Sequence, residues 1–206
     1  MPLVLGYHGC SRQTAHNLLG GSPFQGSTAN YDWLGSGIYF WENDIDRAYA
    51  WAKARPGTPS AAPSVVGAVI DLGHCLDLTT QAGIEAVKFA HTQFTALWLQ
   101  DQKVLPQNED PPGNTSNDFV MRRLDCAVMN YLFSVQQQVV DAGLGTEFQT
   151  ARALFPEGQR LYPSSGFLAQ THIQLSVRDP STILGVFRIP NHLRLQHNLP
   201  PLYELA

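Results

Sequence analysis

Apolar positions along the chain follow a helical period in some stretches, alternate in others, and in one short stretch run without interruption. Residues 3–7 read as a short first strand ending at His8-Gly9, and residues 11–19 as a helix with Ala15, Leu18 and Leu19 on one face, stopped by Gly20-Gly21. Residues 22–30 are loop by composition. In Ile38-Tyr39-Phe40-Trp41 four large apolar side chains stand in sequence. Side chains on a strand alternate between faces, so both faces of this one meet apolar matter. The acidic turn at Asp44 and Asp46 opens a helix running through Ala52. Residues 53–64, rich in Pro, Ala and Ser, read as a surface connection, and residues 65–72 as a strand rich in β-branched residues.

The second half is more helical. Asp77-Leu-Thr-Thr80 offers an N-cap to a helix reaching about Gln100, with Ile84, Val87, Phe94, Leu97 and Trp98 at helical spacing. Residues 101–117 carry Pro, Asn and Asp and read as a loop. Residues 118–138 form a second amphipathic helix, striped by Val120, Leu124, Ala127, Val128, Tyr131, Leu132 and Val135. Residues 142–167 show little periodicity. Their middle, around Phe155-Pro-Glu157-Gly158, is a candidate functional loop. Residues 171–178 alternate cleanly, with Ile173, Leu175 and Val177 on one face and His172, Gln174, Ser176 and Arg178 on the other. Asp179-Pro180 turns the chain into a last strand at 183–189, and Arg178 and Arg188 read as surface charges at strand ends. Without an internal repeat or a linker between core-sized segments, residues 1–206 read as one α+β domain.

Composition narrows the class. A chain of 206 residues is long enough to bury a core without disulfides or metals, and 44% hydrophobic with 15% charged residues is the balance of a soluble protein. A formal net charge of −4 argues against non-specific nucleic-acid binding through a basic surface. Cys10, Cys75 and Cys126 are odd in number and widely spaced, which suits reduced thiols in a cytoplasm and no metal site. No leader is expected at residues 1–20, and no apolar run is long enough to span a bilayer.

Three stretches carry polar or aromatic groups at strand ends: Tyr7-His8-Gly9, Gly35-Ser-Gly37-Ile-Tyr39-Phe40 and His172-Ile-Gln174-Leu-Ser176. Their order resembles the H-Y-E group of ADP-ribosyltransferases, the diphtheria-toxin and poly(ADP-ribose)-polymerase-like branch. The resemblance implies a split β-sheet core with flanking helices and NAD as co-substrate. It implies that His8 bonds the adenosine ribose, that Gly9 approaches the carboxamide, and that Gly35 and Gly37 keep their loop clear of the cofactor. Tyr39 would stack on the nicotinamide, with Tyr49 or Trp51 on its other side. A flat cationic ring is attracted to an aromatic face by about 1–2 kcal/mol when desolvated. Arg12, close to His8, could meet the pyrophosphate.

The third position departs from the pattern: Gln174 stands where the family carries Glu, with His172 as the neighbouring alternative on the same face. Gln can orient a ribose hydroxyl but brings no negative charge to the oxocarbenium-like centre. Glu157, or else Glu42, is the candidate to supply it. The resemblance therefore implies mono-ADP-ribosyl transfer to a protein or nucleic-acid acceptor, with poly(ADP-ribose) synthesis disfavoured. The small size is similar to bacterial toxins of toxin–antitoxin or phage-defence systems, which implies a neutralising antitoxin protein. An NAD- or ADP-ribose-binding module with little turnover is the alternative, followed by an NAD glycohydrolase or an RNA phosphotransferase on the same fold.

Overall fold

The computed structural model describes residues 2–54, 62–110 and 119–200. The parts of the expected connection at 55–61 and loop at 111–117, with tail residues 201–206, lie outside them. A seven-stranded mixed sheet forms the centre, built from β1 (Leu3–Ser11), β2 (Ile38–Glu42), β3 (Pro63–Asp71), β4 (Cys75–Asp77), β7 (Thr150–Phe155), β8 (His172–Val177) and β9 (Ile183–Arg188) in the order β4-β7-β8-β2-β1-β3-β9. Only β4 and β7 run parallel. A separate small ladder pairs β5 (Asn108–Glu109) with β6 (Met121–Arg122). Five helices complete the α+β architecture: α1 (Arg12–Leu19), α2 (Ile45–Ala54), α3 (Gln81–Gln100), α4 (Arg123–Asp141) and α5 (Asn191–Gln196).

The uninterrupted apolar run of β2 has the cause its sequence implies. Ile38 and Phe40 enter one cluster with Ala68, Ile70, Leu175 and Val177. On the other face Trp41 joins Tyr7, Ile45, Ala48 and Val65 under α2, while Tyr39 packs toward Trp33, Phe133 and Phe155 under α4. The boundary between the two helical covers of that face therefore falls between Tyr39 and Trp41. That boundary is where the candidate site lies.

The centre of the sheet is unevenly joined. β1 pairs β3 through nine registered residues, from Leu3↔Asp71 to Ser11↔Pro63, but meets β2 only at Gly6↔Glu42 and Tyr7↔Trp41. Beyond Tyr7 the two strands part. β2 instead pairs β8 along Ile38↔Val177 to Trp41↔Gln174.

Several expectations need correction. The first strand runs on to Ser11, because β3 pairs with it throughout, so His8-Gly9 lies inside a strand; Ser11 then caps α1 by accepting from the Thr14 amide. Asp77 ends β4, and Thr80 is the cap of α3, its hydroxyl accepting from Gly83 N–H. On α3, Ile84 and Leu97 are about half exposed, while Phe94 is buried. The second long helix begins at Arg123, because Met121-Arg122 is held in the β5–β6 ladder. The unpatterned stretch 142–167 contains a six-residue strand, β7, flanked by β4 and β8. Its Ala151 and Ala153 are poor strand formers, used here because α4 and its aromatic neighbours press on that face. Arg178 is not a surface charge. Its guanidinium lies 3.8 Å over the Phe133 ring, and burial pulls its pKa down.

Candidate functional site

The three motif strands are neighbours in the order β8-β2-β1. Register fixes which side chains share a face. Trp41 is opposite Gln174 and Tyr39 opposite Ser176 across β2–β8, while Ala153 is opposite Gln174 and Phe155 opposite His172 across β7–β8. One continuous row therefore holds Tyr39, Trp41, Gln174, His172 and Phe155.

Tyr39 is tightly fixed. Its hydroxyl donates to Gly35 O (2.8 Å) and accepts from Leu34 N–H (3.0 Å), so the ring is held from its tip. Burial, and secondarily the charge of Asp32, hold this phenol well above the usual tyrosine range; it stays neutral. Gly37 must be glycine for a reason other than cofactor clearance: a Cβ there would stand 2.2 Å from Ser176 Oγ and 3.0 Å from Val177 O. Gly9 is likewise constrained by packing, since a Cβ would stand 2.1 Å from the Ala48 carbonyl of α2. The close approach that asks for glycine at position 9 is made by a helix.

Gln174 is half-buried, and its Oε1 accepts from the indole N–H of Trp33 at 2.5 Å. Trp33 is itself buried, edge-on to Phe155 with centroids 4.8 Å apart. Phe155 stacks on His172 (5.3 Å, 18°), and Trp41 leans on both His172 and Trp51.

His172 Nδ1–H donates to Gln170 O (2.7 Å), which leaves Nε2 as an acceptor. Burial, and then the neighbouring Arg47 cation, lower its pKa to about 4. The imidazole is neutral at pH 7. Its unfolded value is near 6.5, so between about pH 6.5 and 4 the unfolded chain binds the extra proton and stability falls as pH falls. The loss expected across that window is about 3 kcal/mol from this group. Asp44 and Glu157 also face the imidazole and soften the loss. Urea unfolding at pH 7 and pH 4.5 should show this dependence, and His172→Gln should flatten it. An unchanged slope in the variant would assign the acid sensitivity to other groups.

The remaining predicted residues divide. Arg47 Nη2 donates to Glu157 Oε2 at 2.6 Å, and the same carboxylate oxygen lies 3.8 Å from His172 Nδ1. Glu157 therefore flanks His172 on the side away from Gln174, already paired with a cation. Glu42 is on the opposite face from Tyr39 and is held two-pronged by Arg152 (2.7 and 3.0 Å), which also reaches Asp77 at 3.1 Å. It is not available to the row. Tyr49 packs with the Tyr7, Val65 and Ile189 cluster and does not oppose Tyr39, whereas Trp51 leans over Trp41. His8 points to the Phe40 side, edge-on to Phe24, and its Nδ1–H donates to the Tyr39 carbonyl (2.9 Å). Arg12 is half-buried at the start of α1, away from the row.

Four buried polar atoms without a hydrogen-bond partner belong to this neighbourhood: Trp41 Nε1, Arg47 Nε, His172 Nε2 and Ser176 Oγ. Among the described residues the only other one is Asp32 Oδ2. Groups of this kind are rare in native interiors; Trp41, His172 and Ser176 stand on the face of the row, and Arg47 approaches it from α2. Beside the row, a groove of about 800 Å³ is lined by Phe119, Arg122, Arg160, Leu161 and Tyr162. Trp33, Trp41 and Arg47 are the contributors not assigned to the site from the sequence. Only the aromatic density around Tyr39 pointed to the two tryptophans; Phe155, expected in a functional loop, ends β7, which had no strand signature.

Among the described residues no three His, Cys, Asp or Glu side chains converge as metal ligands, and no helix is long and apolar enough to cross a membrane. Comparison with family models, with curated proteins and with solved structures found no match.

Proposed function

We propose that this chain is a mono-ADP-ribosyltransferase with an H-Y-Q site, built on an ADP-ribosyltransferase-like split sheet and using NAD as co-substrate. The observation that carries the reading is the adjacency of the three motif strands, with unpartnered buried polar groups gathered along the row they form. The parting of β1 from β2 after Tyr7 adds support: backbone pairing stops there, and side chains, His8 with its bond to the Tyr39 carbonyl among them, bridge the strands beyond it.

In this reading Tyr39, fixed at its hydroxyl, offers its ring to the nicotinamide, and Trp41 with Trp51 forms the aromatic wall. Gln174 holds the nicotinamide-ribose hydroxyl. His8 and the backbone of Gly9 line the parted edge of β1. The bond between ribose and nicotinamide breaks, nicotinamide leaves, and the acceptor's nucleophile takes the ribosyl carbon. The acceptor is a macromolecule, for which the groove by Arg122 and Arg160 is the natural approach. A cytoplasmic setting and a neutralising protein partner belong to the same proposal.

Nicotinamide release by the purified protein tests it. Gln174→Ala and Tyr39→Ala should each lower the rate at least a hundredfold, and full activity in both removes this mechanism. One observation favours a second reading, an NAD-binding module with little turnover: the two candidate carboxylates are committed elsewhere, Glu157 to Arg47 and Glu42 to Arg152. Micromolar NAD binding by calorimetry, with no labelled product from radiolabelled NAD in a cell extract, would select that reading.

A further inference from the structure

We infer that Trp33 is a positioning residue that fixes which end of the Gln174 amide faces the site, so that Gln174 presents N–H donors and selects a ligand carrying an acceptor oxygen at that point. An indole has a donor and no acceptor. The Trp33–Gln174 bond, 2.5 Å between Nε1 and Oε1, therefore sets the amide's orientation, and the carbonyl end is the one turned to Trp33. Gln174 Nε2 makes no hydrogen bond to any described residue. Trp33 cannot easily turn away. It is 9% exposed, edge-on to Phe155, and the Arg122 guanidinium lies 5.0 Å over its ring.

This changes what the third motif position does. A glutamate would accept from a ribose hydroxyl. A glutamine pinned by its oxygen donates to that hydroxyl's oxygen instead. On the NAD reading that acceptor oxygen belongs to a ribose hydroxyl. This inference rests on the NAD reading for the ligand's identity but not for the orientation of Gln174.

The test exploits symmetry. An amide has two different ends, whereas the two oxygens of a carboxylate are equivalent. NAD binding is measured by calorimetry for the wild type, Trp33→Phe, Gln174→Glu and the double variant, with thermal melts to confirm folding. Trp33→Phe should weaken binding about tenfold when residue 174 is Gln, the effect of one hydrogen bond, and less than twofold in the Q174E background. Equal losses in both backgrounds would make Trp33 a packing residue and overturn the proposal.

A second readout needs no ligand and no variant. In the unsubstituted protein the Trp33 indole N–H should resonate far downfield, resist exchange and show a cross-peak to the Gln174 side-chain amide. A rapidly exchanging indole N–H overturns the proposal even if Trp33→Phe does not fold. If the wild type binds no NAD, the functional reading falls, and the indole and amide resonances alone decide the orientation.

Discussion

Gln174→Glu should raise the rate of nicotinamide release about a hundredfold over the wild type. The expectation follows from the row. A carboxylate at position 174 keeps the indole bond from Trp33 with one oxygen and turns the other toward the ribose, placing a negative charge where positive charge develops as nicotinamide leaves. Preorganised electrostatic stabilisation of this kind is worth about 2.7–4 kcal/mol per group. No compensating carboxylate is lost, because Glu157 is engaged with Arg47 and His172 and Glu42 with Arg152 on the other face. The measurement is initial-rate release from labelled NAD. A variant no faster than wild type, with NAD binding intact, would mean that Gln174 is not at the reacting carbon.

The largest expected stability change lies at Gly9. A methyl group there would meet the Ala48 carbonyl of α2 at 2.1 Å, a backbone atom that can move only if the helix moves. Gly9→Ala should therefore destabilise the fold by about 3 kcal/mol, at the upper end of overpacking effects. Gly185→Ala, on the edge strand β9 with open space around it, should change stability by less than about 0.5 kcal/mol. Urea denaturation of both variants makes the comparison. Equal, small effects would show that α2 does not rest on β1 as described.

Much of this arrangement was readable in the chain because its signals are local. The uninterrupted run Ile38–Trp41 announced a strand covered on both faces, and the alternation from His172 to Ser176 sorted the side chains by face, although both faces are buried, with His172 at 5% and Ser176 at 0% exposure. What was not readable depends on contacts made at long range. Thr150-Ala-Arg-Ala-Leu-Phe155 becomes a strand because β4 and β8 lie on either side of it, and small alanines suit the pressure of α4. The bond from Trp33 to Gln174 spans 141 positions, and no spacing rule reaches that far. Pairing decides the two candidate carboxylates as well. The sequence favours Glu157 over Glu42, and only Arg47 and Arg152 show that both are committed.

The narrow junction between β1 and β2 has a mechanical consequence. Tyr39 and Gln174 sit on strands registered to each other, and Arg152 clamps that group from behind by reaching from Glu42 on β2 to Asp77 on β4. His8 and Gly9 belong to the other leaf, with β3 and β9; the links between the leaves include two residue pairs, the Asn43 N–H donating to Leu5 O (2.9 Å) and the bond from His8 to the Tyr39 carbonyl. Apolar clusters cross that junction on both faces, Phe40 with Ile70 on one and Trp41 with Tyr7 and Val65 on the other, and hold the leaves together where the backbone ladder is short. Side-chain packing, more than backbone pairing, therefore sets the angle between the two leaves.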